Sequence, residues 1–140
     1  LNPPTDHLLI HTDGAARGNP GPAGAAALLY DASGSCISEV TEFLGEATNN
    51  VAEYSALLLG LTRARELGAR SVEVVTDSEL LAKQWSGEYR VKNKVLKPMF
   101  DEAKECARAI GSVEVRHVRR GGNAAADAAA NRAIDERGSV

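Results

Sequence analysis

Aromatic side chains make up only 4% of the 140 residues, with one tryptophan and two phenylalanines among them. A core with so few rings must gain its contacts from close backbone approach, and alanine is correspondingly abundant. No apolar run comes near the roughly 20 residues that span a bilayer, which excludes a membrane-spanning helix. The opening "LNPPTDH" has neither the charged nor the apolar region of a secretory signal. A cytoplasmic location is the resulting expectation. Cysteine is scarce too. Cys36 and Cys106 stand far apart, with no CxxC pair and no histidine nearby, so they read as buried free thiols rather than a disulfide or a metal site.

The usual phosphate-binding signatures are also missing. "HTDGAARGNPGPAG", His11 to Gly24, is rich in glycine and proline, yet no Gly-Lys-Ser/Thr follows it. Its spacing and its prolines rule out a dinucleotide fingerprint. Instead, a carboxylate, Asp13, stands at its mouth. A basic surplus is absent as well: the formal charge is −3, a mild argument against a nucleic-acid partner. The distribution matters more than the sum. Arg116, Arg119 and Arg120 cluster, as do Arg90, Lys92, Lys94 and Lys97, although such runs are ordinarily solvated surface.

What is present is the size of one domain, with no internal repeat, low-complexity tract or linker. The chain begins at Leu1 rather than a methionine, as a piece of a longer protein would. "HLLIHTD" predicts a strand ending at Asp13; "GAAALLYD" and "CISEVTEFLG" predict two more, joined by the turn "ASGS". "NVAEYSALLLGLTRARELG" predicts a helix of about five turns, stopped by Gly68. "SVEVVTD" is a fourth strand, "SELLAKQW" a short helix, and residues 94–110 a further helix. "SVEVRHV" is a fifth strand, "RRGGN" a turn, and "NAAADAAANRAID" a closing helix. Short turns make the first three strands an antiparallel meander. Later strands arrive through helical crossovers and so lie parallel. An α/β fold follows, with a mixed five-stranded sheet flanked by helices.

Four carboxylates stand out. Asp13 and Asp77 close two strands in the same way, as "TDG" and "TDS". If those strands are parallel neighbours, both emerge at the C-terminal sheet edge where open α/β sheets place their sites. Glu53 shares a helix face with Leu57, Gly60 and Ala64, so it points inward, where an unpaired charge is expensive. Asp127 has Asn123 and Asn131 four residues to either side, among alanines that permit close helix approach. Each acid has a plainer reading by itself. Asp13 can make a turn, Asp77 can cap the next helix, Glu53 can complete a capping box with Asn50, and Asp127 can be a solvated mid-helix residue. Gathered within a few ångströms, however, like charges repel by about 1 kcal/mol or more even in water. Such a cluster calls for cations, and carboxylate oxygens suit Mg²⁺ or Mn²⁺.

With those residues in view, the chain resembles a type 1 ribonuclease H over essentially its whole length. "TDGAARGNPGPAG", "TNNVAEYSALLLGL", "VTDSELLAKQ" and "HVRRGGNAAADAAAN" are similar to the family's four signatures, in the family's order. The resemblance implies the ribonuclease H-like fold, with sheet order 3-2-1-4-5, and endonucleolytic cleavage of the RNA strand of RNA–DNA hybrids. The implied products carry 5′-phosphate and 3′-hydroxyl ends. It puts the catalytic, metal-holding quartet on Asp13, Glu53, Asp77 and Asp127, and the family's mobile histidine on His117. Two Mg²⁺ ions about 4 Å apart, with Mn²⁺ as a substitute, are the implied cofactors. Asp13 would bridge both ions, Glu53 and Asp77 would serve one, and Asp127 the other. His117 would shuttle a proton or help release product.

Recognition of the RNA strand rests on its 2′-hydroxyl. By the same resemblance, Gly14, Asn19 and Asn49 contact the RNA side, Glu79 sits where the family often has a glutamine touching RNA, and Thr48 and Asn50 belong to a pocket for a DNA-strand phosphate. Asn123, Arg119 and Arg120 complete the expected substrate contacts. Many members carry a basic, Trp-rich protrusion that the short "WSGEYRVKN" does not supply, so weaker hybrid binding is expected. The implied partner is the hybrid duplex and not a membrane, with the protein a monomer. Two other readings compete: a non-catalytic hybrid-binding module, which the presence of all four acids disfavours, and an integrase or resolvase of the same fold, which would need more DNA-binding sequence.

Overall fold

A computed structural model describes residues 5–138. Residues 1–4, which belong to the segment read for a secretory leader, lie outside the described residues. The elements are β1 (His7–Ala16), β2 (Gly21–Tyr30), β3 (Cys36–Ala47), α1 (Asn49–Glu66), β4 (Ser71–Thr76), α2 (Glu79–Trp85), α3 (Leu96–Ile110), β5 (Ser112–His117) and α4 (Ala124–Asp135). They form one five-stranded sheet in the order β3-β2-β1-β4-β5. β1 to β3 are the antiparallel meander, and β4 and β5 join β1 in parallel. The turn after β2 is held by Asp31, whose carboxylate accepts hydrogen bonds from the Ser33 and Ser35 amides.

The two faces of the sheet are packed differently. Leu8, Ile10, Leu29, Val72 and Val74 meet Tyr54, Leu57 and Leu61 of α1, with Leu81, Trp85, Leu96 and Ile110 closing the layer. Tyr54 is fully buried, and its hydroxyl donates to Gln84 Oε1 at 2.6 Å, tying α1 to α2. On the other face α4 lays Ala126, Ala129 and Ala130 against Ala26 and Leu28. Gly24 is obligatory there, since a Cβ on it would stand 2.6 Å from the Ala130 carbonyl oxygen.

Four expectations need correction. β1 does not end at Asp13 but runs on to Ala16, because Gly14–Ala16 pair antiparallel with Ala23–Ala25 after β4 has stopped following at His11. The supposed glycine-rich loop is thus a hairpin whose turn is only residues 17–20. α1 is capped by Thr48, not Asn50: the Thr48 hydroxyl accepts from the Val51 amide at 3.2 Å. Cys36 is exposed, because β3 is an edge strand and Cys36 opens it; Cys106 is buried as expected. Asp127 is in the first turn of α4 rather than its middle. Residues 86–95, between α2 and α3, contain no helix, so the basic protrusion is absent. Among the described residues, no helix is long and apolar enough to cross a membrane.

Candidate active site

β1 and β4 part company just beyond His11, and the gap they leave is where the acids meet. One carboxylate oxygen each from Asp13, Glu53 and Asp77 lie within 4.8 Å of one another. Asp13 is supplied by β1 and is almost fully buried. Glu53 comes from the inward face of α1. That helix can reach the strand because Gly14 has no side chain: a Cβ there would fall 2.2 Å from the Ala52 carbonyl carbon. The Gly14 amide donates to Glu53 Oε1 at 2.5 Å, which aims the carboxylate. Asp77 follows β4 directly. It is not used as a cap, since Ser78 takes that role for α2 by accepting from the Leu81 amide at 3.2 Å.

Asp127 lies outside this trio but lines the same cleft, about 420 Å³ in volume, together with Asn49, Arg120 and Asn131. Asn131 Nδ2 donates to the Asp127 carbonyl oxygen at 3.0 Å. The electrostatics are those of acids crowded together and partly withdrawn from water. Burial pushes the Asp13 carboxyl up to about 9, reinforced by the charge of Glu53, the proximity of Asp127, and Asp77. Burial likewise raises Glu53 to about 8; the Gly14 amide opposes this and Asp77 adds to it. In both, burial that penalises the charged form is the larger cause.

Other expected residues fall at varying distance from this cleft. His117 ends β5 opposite Thr76, exposed, and is not among the residues lining the cleft. It lies near enough to Glu79 for their charges to interact, while Glu79 pairs with Lys83 at 2.8 Å. Arg119 is exposed on the turn between β5 and α4. Arg116, of the same basic cluster, is engaged by Glu73 at 2.7 Å. Asn19 Oδ1 accepts from the Asn49 amide at 3.0 Å, joining the hairpin turn to the start of α1. Thr48, Asn50 and Asn19 line a second cavity of about 550 Å³ with Asn93, Val95 and Glu46.

Asn123 requires a correction. It is only 2% exposed and offers no surface to a substrate. Its Nδ2 donates to the Thr12 carbonyl oxygen at 2.6 Å, and its Oδ1 has no partner among the described residues. It is a buried tether between α4 and β1, one residue from Asp13. Sequence reasoning missed Asn93, Glu46 and Arg17. Asn93 closes the stretch "WSGEYRVKN", whose only signal was a missing protrusion, Glu46 lies outside every signature, and Arg17, inside the first signature, pairs with Asp135 at 2.7 Å.

The sheet order and the acid-lined gap beside β1 define a ribonuclease H-like domain. Residues 11–133 match the family model described as reverse transcriptase-like. A bifunctional protein of Mycobacterium tuberculosis is 40% identical over 129 residues, covering 91% of this chain and 35% of its own length. A ribonuclease H of Pseudomonas fluorescens is 32% identical over 149 residues, covering 94% of this chain and 95% of that one. Among solved structures, LC11-RNase H1 in complex with an RNA/DNA hybrid superposes with a TM-score of 0.88 at 40% identity, covering 92% of this chain and 97% of that one. The chain belongs to the type 1 ribonuclease H family, in the form without the protrusion. It spans about a third (35%) of the length of the first curated relatives it matches.

Proposed function

We propose that this domain is an endoribonuclease that hydrolyses the RNA strand of RNA–DNA hybrids, leaving 5′-phosphate and 3′-hydroxyl ends. The observation that carries the reading is the convergence of Asp13, Glu53 and Asp77 within 4.8 Å. Three hard oxygen donors converging in a cleft open to solvent fit divalent cations of the Mg²⁺ class. Asp13, Glu53 and Asp77, with Asp127 across the cleft, would hold two Mg²⁺, or Mn²⁺ in their place. Such ions supply an activated water and charge stabilisation for the leaving 3′ oxygen.

The chain's own groups do the rest. The Gly14 amide orients Glu53, and the buried Asn123 holds α4, with Asp127, against β1. Arg120, on the cleft wall, meets the scissile strand's charge, and Arg119 on the same turn adds to the attraction. His117, at the end of β5, takes or returns a proton. Asn19, Asn49 and Glu79 face the RNA strand, whose 2′-hydroxyls both donate and accept. Thr48 and Asn50 receive a DNA-strand phosphate in the second cavity. The hybrid complex of LC11-RNase H1 supports the substrate assignment. The domain acts as a monomer on soluble hybrid and needs no membrane.

The test is cleavage of end-labelled hybrid in Mg²⁺ beside duplex DNA and duplex RNA, with Asp77→Asn as control. Loss of the hybrid's RNA strand alone, abolished by EDTA and reduced at least a thousandfold in the variant, about 4 kcal/mol of barrier, is the expected result. Binding without cleavage in either Mg²⁺ or Mn²⁺ would replace the nuclease by a binding module.

A further inference from the structure

The second cavity carries a charge of the wrong sign for the ligand proposed for it. Its polar lining is Asn19, Thr48, Asn50, Asn93 and Glu46, and no lysine or arginine lines it. Part of its donor capacity is already committed. The Val51 amide donates to the Thr48 hydroxyl, and the Asn49 amide donates to Asn19. Asn93 Oδ1 accepts from the Val95 and Leu96 amides at 2.8 and 3.1 Å, which leaves its Nδ2 for a ligand. Lys92 and Lys94 flank Asn93 in sequence and are exposed, but neither lines the cavity. Glu46, near the end of β3 opposite Pro22, is exposed, and among the described residues it has no ion-pair partner.

We propose that Glu46 is a specificity-determining residue whose carboxylate keeps this cavity's grip on a DNA-strand phosphate weak. The proposal rests on the hybrid-cleaving reading above. A phosphate entering here finds neutral donors and one fixed negative charge. At water-like screening, a like charge about 4 Å away weakens binding about fivefold. Cleavage occurs on the other strand, at the carboxylate cleft. The repulsion therefore acts equally on bound substrate and transition state, and it belongs in KM rather than kcat. The chain attaches to the hybrid mainly through its RNA-facing contacts and lets the DNA strand go readily.

Steady-state cleavage of a labelled hybrid by wild type, Glu46→Gln and Glu42→Gln tests this. Glu42 is an exposed acid of the same strand that lines a different groove, against α1, so it reproduces the change in net charge and not its place. Glu46→Gln is expected to lower KM about fivefold with kcat held, whereas Glu42→Gln leaves both unchanged. Glu46→Lys is further expected to steepen the salt dependence of hybrid affinity by about 0.9 in log–log slope, the value of one phosphate contact. Equal KM values for wild type and Glu46→Gln, or an equal fall in Glu42→Gln, would overturn the proposal while leaving the nuclease reading intact. A wild-type protein that neither cleaves nor binds hybrid would remove both.

Discussion

The two faces of the sheet solve different problems with different residues. On one, leucines and valines of the strands meet leucines, Tyr54 and Trp85 of three helices and bury large apolar surfaces. On the other, α4 touches the sheet through alanines and a glycine. Burial of bulky side chains contributes stability in proportion to area, and small residues contribute little of that. What they permit is a short separation. α4 comes close enough for Asn123 to reach the Thr12 carbonyl oxygen and for Asp127 to influence Asp13. One face keeps the domain folded, and the other fixes a distance.

That contrast can be broken by substitution. Leu57→Ala, in the fully buried stripe of α1, is expected to cost about 2–5 kcal/mol of stability by urea unfolding, with kcat close to wild type where the variant is folded. Gly24→Ala is expected to do the reverse. The added methyl stands 2.6 Å from the Ala130 carbonyl oxygen, so α4 must withdraw. Overpacking of this kind costs about 1–3 kcal/mol, but an ångström of displacement at Asp127 lowers kcat about a hundredfold. A Gly24→Ala protein that is less stable and fully active would erase the distinction between the faces.

A smaller effect sharpens it. Asp13 and Glu53 have ordinary values of 3.8 and 4.5, which the fold raises to about 9 and about 8. In the metal-free protein, the folded state therefore binds more protons than the unfolded chain between about pH 4 and pH 9. Stability must fall as pH rises through that window. The melting temperature in EDTA is expected to drop by several degrees between pH 5.5 and pH 8. Mg²⁺ should restore it, more at pH 8 than at pH 5.5. Asp13→Asn should flatten the profile, and an unaltered slope in that variant would place the destabilising groups elsewhere.

Much of this was legible in the sequence, for reasons that can be named. Glu53 declared itself through the helical spacing to Leu57, Gly60 and Ala64, and those three are buried as expected. Asp13 and Asp77 declared themselves by following apolar runs in matching contexts. The extension of β1 through Gly14–Ala16 was hidden, because glycine and alanine have poor intrinsic strand preference and pairing decided the outcome. The choice of Thr48 over Asn50 as cap was hidden because Thr48, Asn49 and Asn50 are all competent; the point where β3 ends selected among them. Asn123 looked like part of a turn. Only the tight docking of α4 explains why it is buried.

That buried asparagine has a consequence for how cations would be received. In many metalloproteins the ion organises its own ligands, and the apo form loses its shape. Here the separation between α4 and β1 is set by an amide-to-carbonyl hydrogen bond that involves no carboxylate. Carboxylates that would hold a cation here would therefore already be ordered by folding. A cation held there would not need to draw a helix into place.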